Sequence, residues 1–420
     1  MQEIHEQIAL LYQGCFGTQP VSIEKVPQSG SDRVYYRVIG EPTCIATWSK
    51  NIKETQTFLK FSKHFKQAKC PVPTIYAVSA DEMIYLQEDF GDVSLLNELE
   101  QHGYTDHTYR LFQQSLQQLA HMQIKGHEEF NYDWCITSRE FGRQAIVSDL
   151  LYFRYYFLDT LKIPYDKEKL IEDFEDLSIY LTRVDHKYFM FRDFQSRNIQ
   201  VKNGNVHFID YQGGMKGAVQ YDVASLLWQA KAELSDEWKD SLLNYYMDCV
   251  ENVLQKEIDR TRFVSQYNGY VLIRLLQVLG AYGFRGLFER KAHFLTSIPL
   301  ALRNIRWFLS NRNVGIVLPE FERLLGLMVQ DEVIQKFEPP KATDDTALVV
   351  RISSFSYKST GIPVDETDNG GGFVFDCRGI LNPGRIEEFK TQTGRDKGVK
   401  DFLEQQTKMP QFLNSVYNIV

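Results

Sequence analysis

Apolar residues recur at helical spacing at Ile4, Ile8, Leu11 and Cys15, so the chain opens with an amphipathic helix over Ile4 to Phe16. From Val21 to Ala46 the pattern changes to alternation and reads as strand, turn, strand, strand. Ile52 to Phe65 is a charged amphipathic helix. Pro71 and Pro73 interrupt the chain before two further strands, Ile75 to Val78 and Met83 to Gln87. Beyond Asp92 the period becomes helical and stays so. Tyr109 to Lys125 carries Leu111, Leu116, Leu119 and Met122 on one face. Glu140 to Leu161, Tyr165 to Val184, Ser235 to Asn252, Asp259 to Tyr282 and Lys291 to Leu309 continue the series. The expected architecture is α+β: a small β-rich N-lobe over 1–90, a large helical C-lobe over 91–315, and a last helix with a linker over 316–345, stiffened by Pro339-Pro340. A smaller α/β module follows over 346–420, with a β run at Ala347 to Ser354 and a strand at Phe373 to Arg378.

Between the helical segments lies a stretch of different character, Phe191-Arg192-Asp193-Phe194-Gln195-Ser196-Arg197-Asn198, followed by Ile209-Asp210-Tyr211-Gln212-Gly213. Asn198 to Val201 and Val206 to Ile209 read as two short strands. Lys202-Asn203-Gly204-Asn205 joins them as a hairpin whose Asn-Gly pair tolerates positive φ. The hairpin returns Asp210 to the neighbourhood of Asn198. An aspartate, an asparagine and a second aspartate in this layout suit phosphoryl transfer, a reaction of positioning and charge compensation. Asp193 would orient and accept the proton of the attacking hydroxyl; Asn198 and Asp210 would hold Mg²⁺ against the nucleotide phosphates. Arg197 is placed to steady a phosphate or a substrate anion, or to serve as a structural ion-pair partner.

These residues resemble the catalytic and metal loops of aminoglycoside phosphotransferase-like kinases, within which the N-acetylmuramate/N-acetylglucosamine anomeric kinases are most similar. Arg192, Asp193, Ser196, Arg197 and Asn198 match their loop; Phe191, Phe194 and Gln195 stand where His, Tyr and His are usual. The resemblance implies a protein-kinase-like bilobal fold, ATP and Mg²⁺ as cofactors, and a small-molecule acceptor, an amino sugar first and an aminoglycoside or choline-type alcohol second. A third possibility is a catalytically weak kinase fold serving as a sensor or an RNA or protein adapter.

By the same resemblance, Gln28 to Val38 is the turn covering the nucleotide, with Ser29, Gly30, Ser31 and Arg33 as contacts. Glu88-Asp89-Phe90-Gly91-Asp92 is the inter-lobe hinge, with Glu88 and Phe90 near the adenine. One departure is substantive. Kinases carry a lysine in the third strand to hold the α- and β-phosphates, and Thr43-Cys44-Ile45-Ala46-Thr47-Trp48 has none. Lys50 follows as a candidate, or as a solvated side chain. Glu54 is the partner of such a cation, or a first-turn acid favoured by the helix dipole. Asp222 caps a helix starting at Val223, or hydrogen-bonds back to the catalytic loop.

The C-terminal module resembles the RapZ C-terminal domain through Ser354, Phe355, Lys358, Gly361, Pro363, Asp376, Arg378, Asn382, Pro383, Thr393, Gly394 and Asp396. That domain goes on to an anion-binding loop that this sequence, ending at Val420, does not reach, so the module reads as partial. Asp376 and Arg378 are a ligand pair or a structural pair.

Composition narrows the partners. The 420 residues carry a net charge of −8, and residues 341–420 are close to balanced, so no electrostatic footprint for nucleic acid stands out; RNA contact through the module is the exception left open. The six cysteines are scattered without a Cys-x-x-Cys pair and read as reduced thiols of a cytoplasmic protein. No uninterrupted apolar run reaches the 18 or so residues of a membrane span.

Overall fold

The computed structural model describes the chain except residues 1, 27–32, 290–291, 339–349, 351, 356–360, 363–371, 391 and 395, and the side chains of 292 and 293. It forms two compact units, 1–337 and 338–420.

In the first unit, strands β1 (Ser22–Lys25), β2 (Val34–Ile39), β3 (Cys44–Trp48), β4 (Ile75–Val78) and β5 (Ile84–Glu88) make one antiparallel sheet in the order β1-β2-β3-β5-β4. Alternation assigns the two faces. Tyr36, Val38, Cys44, Ala46, Ile84 and Leu86 pack on Ile8 and Tyr12 of helix α1 (Gln2–Phe16). On the other face Tyr85 stacks with Phe58 of helix α2 (Ile52–Gln67), which also stacks on Tyr211.

The helical body comprises α3 (Leu95–His102), α4 (Asp106–Ile124), α5 (Arg143–Tyr156), α6 (Lys167–Thr182), α7 (Gln220–Leu227), α8 (Asp236–Leu254), α9 (Arg260–Tyr282), α10 (Ala292–Leu295), α11 (Ile298–Asn311), α12 (Pro319–Met328) and α13 (Asp331–Gln335). α4 lies on α8 and α5 on α9, around a core that includes Phe112, Leu116, Leu150, Phe153, Leu272 and Leu276. Among the described residues one helix, Arg260–Phe288, has the length and composition to cross a membrane. Most of its α9 portion is buried in this core.

Two short hairpin-like pairs join sheet and body: β6 (Lys187–Met190) with β9 (Met215–Ala218), and β7 (Ile199–Lys202) with β8 (Asn205–Phe208). The β7–β8 turn is the expected one, with Asn203 and Gly204 at φ +53° and +73°.

Several boundaries differ from the sequence expectation. The run Tyr165–Val184 does not lead directly into the catalytic loop, because β6 intervenes; its partner strand is 28 residues away, beyond the reach of local patterning. The helix expected to Leu161 ends at Tyr156 and continues as a separate 3₁₀ turn, Leu158–Leu161. The last helix is two, broken at Val329-Gln330.

In the second unit, helices α14 (Lys397–Gln406) and α15 (Met409–Ile419) follow three single 3₁₀ turns. Phe389, Val399 and Phe402 form its core among the described residues. The strand expected at Phe373 to Arg378 is not there. Phe373 and Val374 are exposed without a ladder, and Asp376 turns the chain by accepting from the Arg378 amide. The described part of the 347–354 run, Val350 and 352–354, is likewise outside any strand.

Candidate active site

The catalytic loop leaves β6 with Phe191 and Phe194 buried against Phe208, so the two aromatic replacements serve as apolar anchors. Asp222, inside α7, accepts from the Phe191 amide at 2.7 Å, the Arg192 amide at 2.9 Å and Gln123 Nε2 at 2.9 Å. It therefore holds the loop and does not cap the helix; the residue preceding α7 is Val219. Burial pushes its carboxyl up to about 7, against the pull of the Phe191, Gln123 and Arg192 donors. Arg192, at φ +79°, reaches both oxygens of Asp149 at 3.0 Å. The Ser196 amide and hydroxyl donate to Gln229 Oε1 at 3.0 and 2.7 Å. The loop is thus tied from three sides, while the Asp193 side chain stays 47% exposed between the ties.

Asn198 and Asp210 converge through the hairpin. Ile199 pairs with Phe208, and the Ile209 amide donates to the Asn198 carbonyl at 3.1 Å. Asn198 Nδ2 donates to the Asp193 carbonyl at 2.8 Å, which turns its Oδ1 away from the loop. One amide oxygen and one carboxylate suit Mg²⁺, a hard cation that takes its remaining ligands from phosphate and water. Among the described residues no group of three His, Cys, Asp or Glu side chains gathers.

Asp210, at φ +68°, is engaged by Arg33 Nη2 at 2.7 Å and Gln212 Nε2 at 2.9 Å. Arg33 Nε also lies 3.5 Å from Glu54 Oε1, and Gln212 reaches that same oxygen at 3.3 Å. Asn51 caps α2 through the Glu54 amide and donates to the Glu54 carboxylate. Glu54 is therefore both a first-turn acid and the partner of a cation, an arginine in place of a lysine. Burial works against the charge on Arg33, but neighbours that include Asp210 and Glu54 outweigh it and keep the guanidinium protonated.

The remaining expected nucleotide contacts are less gathered. Ser29, Gly30 and Ser31 lie outside the described residues. Lys50 lies over the Trp48 ring, 5.8 Å from its centroid. Glu88 accepts from the Thr74 amide and hydroxyl at 3.1 and 3.0 Å. Phe90 is buried and stacked on His207 at 4.1 Å. The Glu88 and Phe90 side chains, expected near the adenine, thus tie the 88–92 segment to Thr74 and His207. Arg37 fastens the hinge to β2 by pairing with Asp89 and Asp92, each at 2.7 Å.

The sequence reading missed Arg274. This α9 residue is buried, bonds Gln277 Oε1 at 2.6 Å and comes within 3.4 Å of Asp193 Oδ1. An arginine on the buried side of an apolar helix was its only signal. Arg197 is exposed. Burial raises the Tyr282 hydroxyl pKa, and the positive charges of Arg274 and Arg197 oppose the shift.

In the C-terminal unit, the family-like residues act as turn formers. Asp376 pairs with Arg378 at 2.5 Å, Asn382 accepts from the Gly384 amide at 2.9 Å, and Asp396 accepts from the Thr393 hydroxyl at 2.8 Å. Lys358 and Pro363 lie outside the described residues.

A sheet flanked by a helix that carries Glu54, and a helical body carrying such a loop, define a kinase-like phosphotransferase. The chain belongs to the phosphotransferase enzyme family, which it matches over residues 22–256. Residues 348–420 match the RapZ C-terminal domain. The chain is 21% identical over 281 residues to the N-acetylmuramate/N-acetylglucosamine kinase of Neisseria meningitidis, covering 66% of this chain and 80% of that protein. Over 76 residues it is 36% identical to a nucleotide-binding protein of Fervidobacterium nodosum, 18% of this chain and 25% of that protein. The chain spans only about a quarter of the length of such nucleotide-binding relatives. Among solved structures, Plasmodium vivax ethanolamine kinase is similar at a TM-score of 0.50 and 13% identity, covering 72% of this chain and 88% of that one. A candidate aminoglycoside phosphotransferase from Ralstonia eutropha gives a TM-score of 0.51 at 12% identity, covering 73% and 98%. At these identities the structures establish the fold alone, and that fold is kinase-like.

Proposed function

We propose that this protein transfers the γ-phosphoryl group of ATP, with Mg²⁺, to a hydroxyl of an amino sugar of the N-acetylmuramate/N-acetylglucosamine type. The observation that carries this is the exposed Asp193 carboxylate on a loop fixed by Asp222, Gln229 and Asn198, with Asp210 returned alongside. Asp193 accepts the proton of the attacking hydroxyl, a contribution of ~10²–10⁴ in rate for a positioned base. Asn198 Oδ1 and Asp210 hold the cation, which takes up charge on the phosphates. Arg33 serves the nucleotide side, with Lys50, the 29–31 turn and the hinge backbone at 88–90 as further nucleotide contacts.

The acceptor class rests on charge. Arg274 beside Asp193 favours a neutral or anionic acceptor and opposes a polycationic aminoglycoside. The kinase of Neisseria meningitidis, named for N-acetylmuramate and N-acetylglucosamine, supports the amino sugar. Scattered cysteines, Cys44 and Cys70 among them as buried free thiols, fit a reducing, cytoplasmic setting.

Phosphorus NMR of mixtures of Mg-ATP with a panel of amino sugars, aminoglycosides and choline tests this. A sugar phosphate should form with the wild type and drop at least ~10²-fold with Asp193→Asn. Arg274→Met should raise the KM for the lactyl-bearing sugar more than for its uncharged counterpart. Transfer to aminoglycosides in preference to sugars, or full activity in Asp193→Asn, would reject the proposal.

A further inference from the structure

We infer that Arg33 is the phosphate-facing cation of this site, taking from the start of β2 the role for which β3 offers no lysine. The inference rests on the phosphotransfer reading above and adds which side chain neutralises the nucleotide. β3 is Cys-Ile-Ala-Thr-Trp. Neither lysine that follows it reaches the acid of α2: Lys50 lies over the Trp48 ring, and Lys53 donates to the Ile136 carbonyl at 3.0 Å. Arg33 does reach it. Its guanidinium stands between Glu54 of α2 and Asp210 of the metal loop, 3.5 and 2.7 Å away, and the residue is only 7% exposed.

Sheet register explains how a residue just before β2 can stand in for one of β3. Tyr35 pairs with Thr47. Directly paired residues share a face, so Tyr35 and Thr47 do. Arg33, one residue before β2, lies over the Tyr35 ring, 5.7 Å from its centroid, on the side away from the face where Tyr36 and Ala46 pack on α1. A lysine at position 47 would leave the sheet on the same side as Arg33. The two strands thus offer alternative roots for one cation, and this chain uses the earlier one. Guanidinium suits the role because it keeps its charge when buried, and its fork can hold a carboxylate and a phosphate together.

Gln212 reinforces the placement. Its amide nitrogen bridges Glu54 Oε1 and Asp210 Oδ1, so both carboxylates are held in position on either side of the guanidinium.

The test is calorimetric binding of ATP, ADP and adenosine to the full-length protein, read with the melting temperature of each variant. Arg33→Met should weaken ATP and ADP binding at least tenfold and leave adenosine binding within about twofold. Adding Thr47→Lys to Arg33→Met should restore at least part of the ATP and ADP affinity. Arg33→Lys, which retains charge and bulk, covers the case in which Arg33→Met does not fold; it should bind ATP several-fold more weakly than wild type, with adenosine unaffected. Wild-type ATP affinity in either variant overturns the inference. So does a loss equal for ATP and adenosine, which marks Arg33 as a structural tie between α2 and the metal loop. Absence of ATP binding by the wild type would instead overturn the phosphotransfer reading itself.

Discussion

Asp222 accepts two backbone amides of the catalytic loop and one side-chain amide, yet it is entirely buried. Its carboxyl sits at about 7, so the folded chain retains a proton that the unfolded chain, near 3.8, has released. Stability from this group is complete below about pH 4 and is lost as pH rises through about 7. Asp222→Asn cannot ionise and should flatten the fall in urea midpoint between pH 4.5 and 7.5, an effect on the order of a few kcal/mol. An unchanged slope in the variant would place the titration elsewhere. Legibility at this scale was uneven. Asp193, Asn198 and Asp210 could be read because their spacing lies within one contiguous stretch. Arg274 could not, because its relation to Asp193 spans 81 residues and exists only after α9 has packed.

The β7–β8 hairpin is the element on which the pair proposed to hold the cation, Asn198 and Asp210, depends. Positive φ at Asn203 and Gly204 sets a two-residue turn, and that turn sets the register that brings Asp210 back to Asn198. Gly204→Val places a β-branched residue at φ +73°, at a cost of ~1–2 kcal/mol. We expect it to lower the melting temperature by a few degrees and weaken Mg-ATP binding more than ATP binding without Mg²⁺. Equal weakening of both would show that the hairpin does not position the cation. This hairpin was legible because turn chemistry is local. The β6–β9 pair was not, and the Phe373–Arg378 run shows the converse error: β-favouring residues make a strand only where another strand is available to pair.

For the molecule as a whole, two units of unequal core follow from composition. The extensive core that includes Phe112, Leu150, Phe153 and Leu276, and the sheet core around Tyr12 and Tyr36, lie within 1–337. Among the described residues of 338–420 the buried core is three side chains, Phe389, Val399 and Phe402. A 1–337 fragment should therefore melt cooperatively within a few degrees of the full chain, whereas 338–420 alone should show no cooperative transition by circular dichroism. A sharp transition in the isolated 338–420 unit would mean that its core extends beyond these residues.

The sequence by itself determined the N-terminal sheet and most of the helices that follow it, the loops proposed for catalysis and metal binding, and the match to known families, because each is written in contiguous residues of fixed spacing. Tertiary structure decided which cation meets Glu54, which carboxylate holds the catalytic loop and which arginine stands beside Asp193. Those three relations join residues 21, 31 and 81 positions apart, and such distances close only when packed strands and helices bring the side chains together.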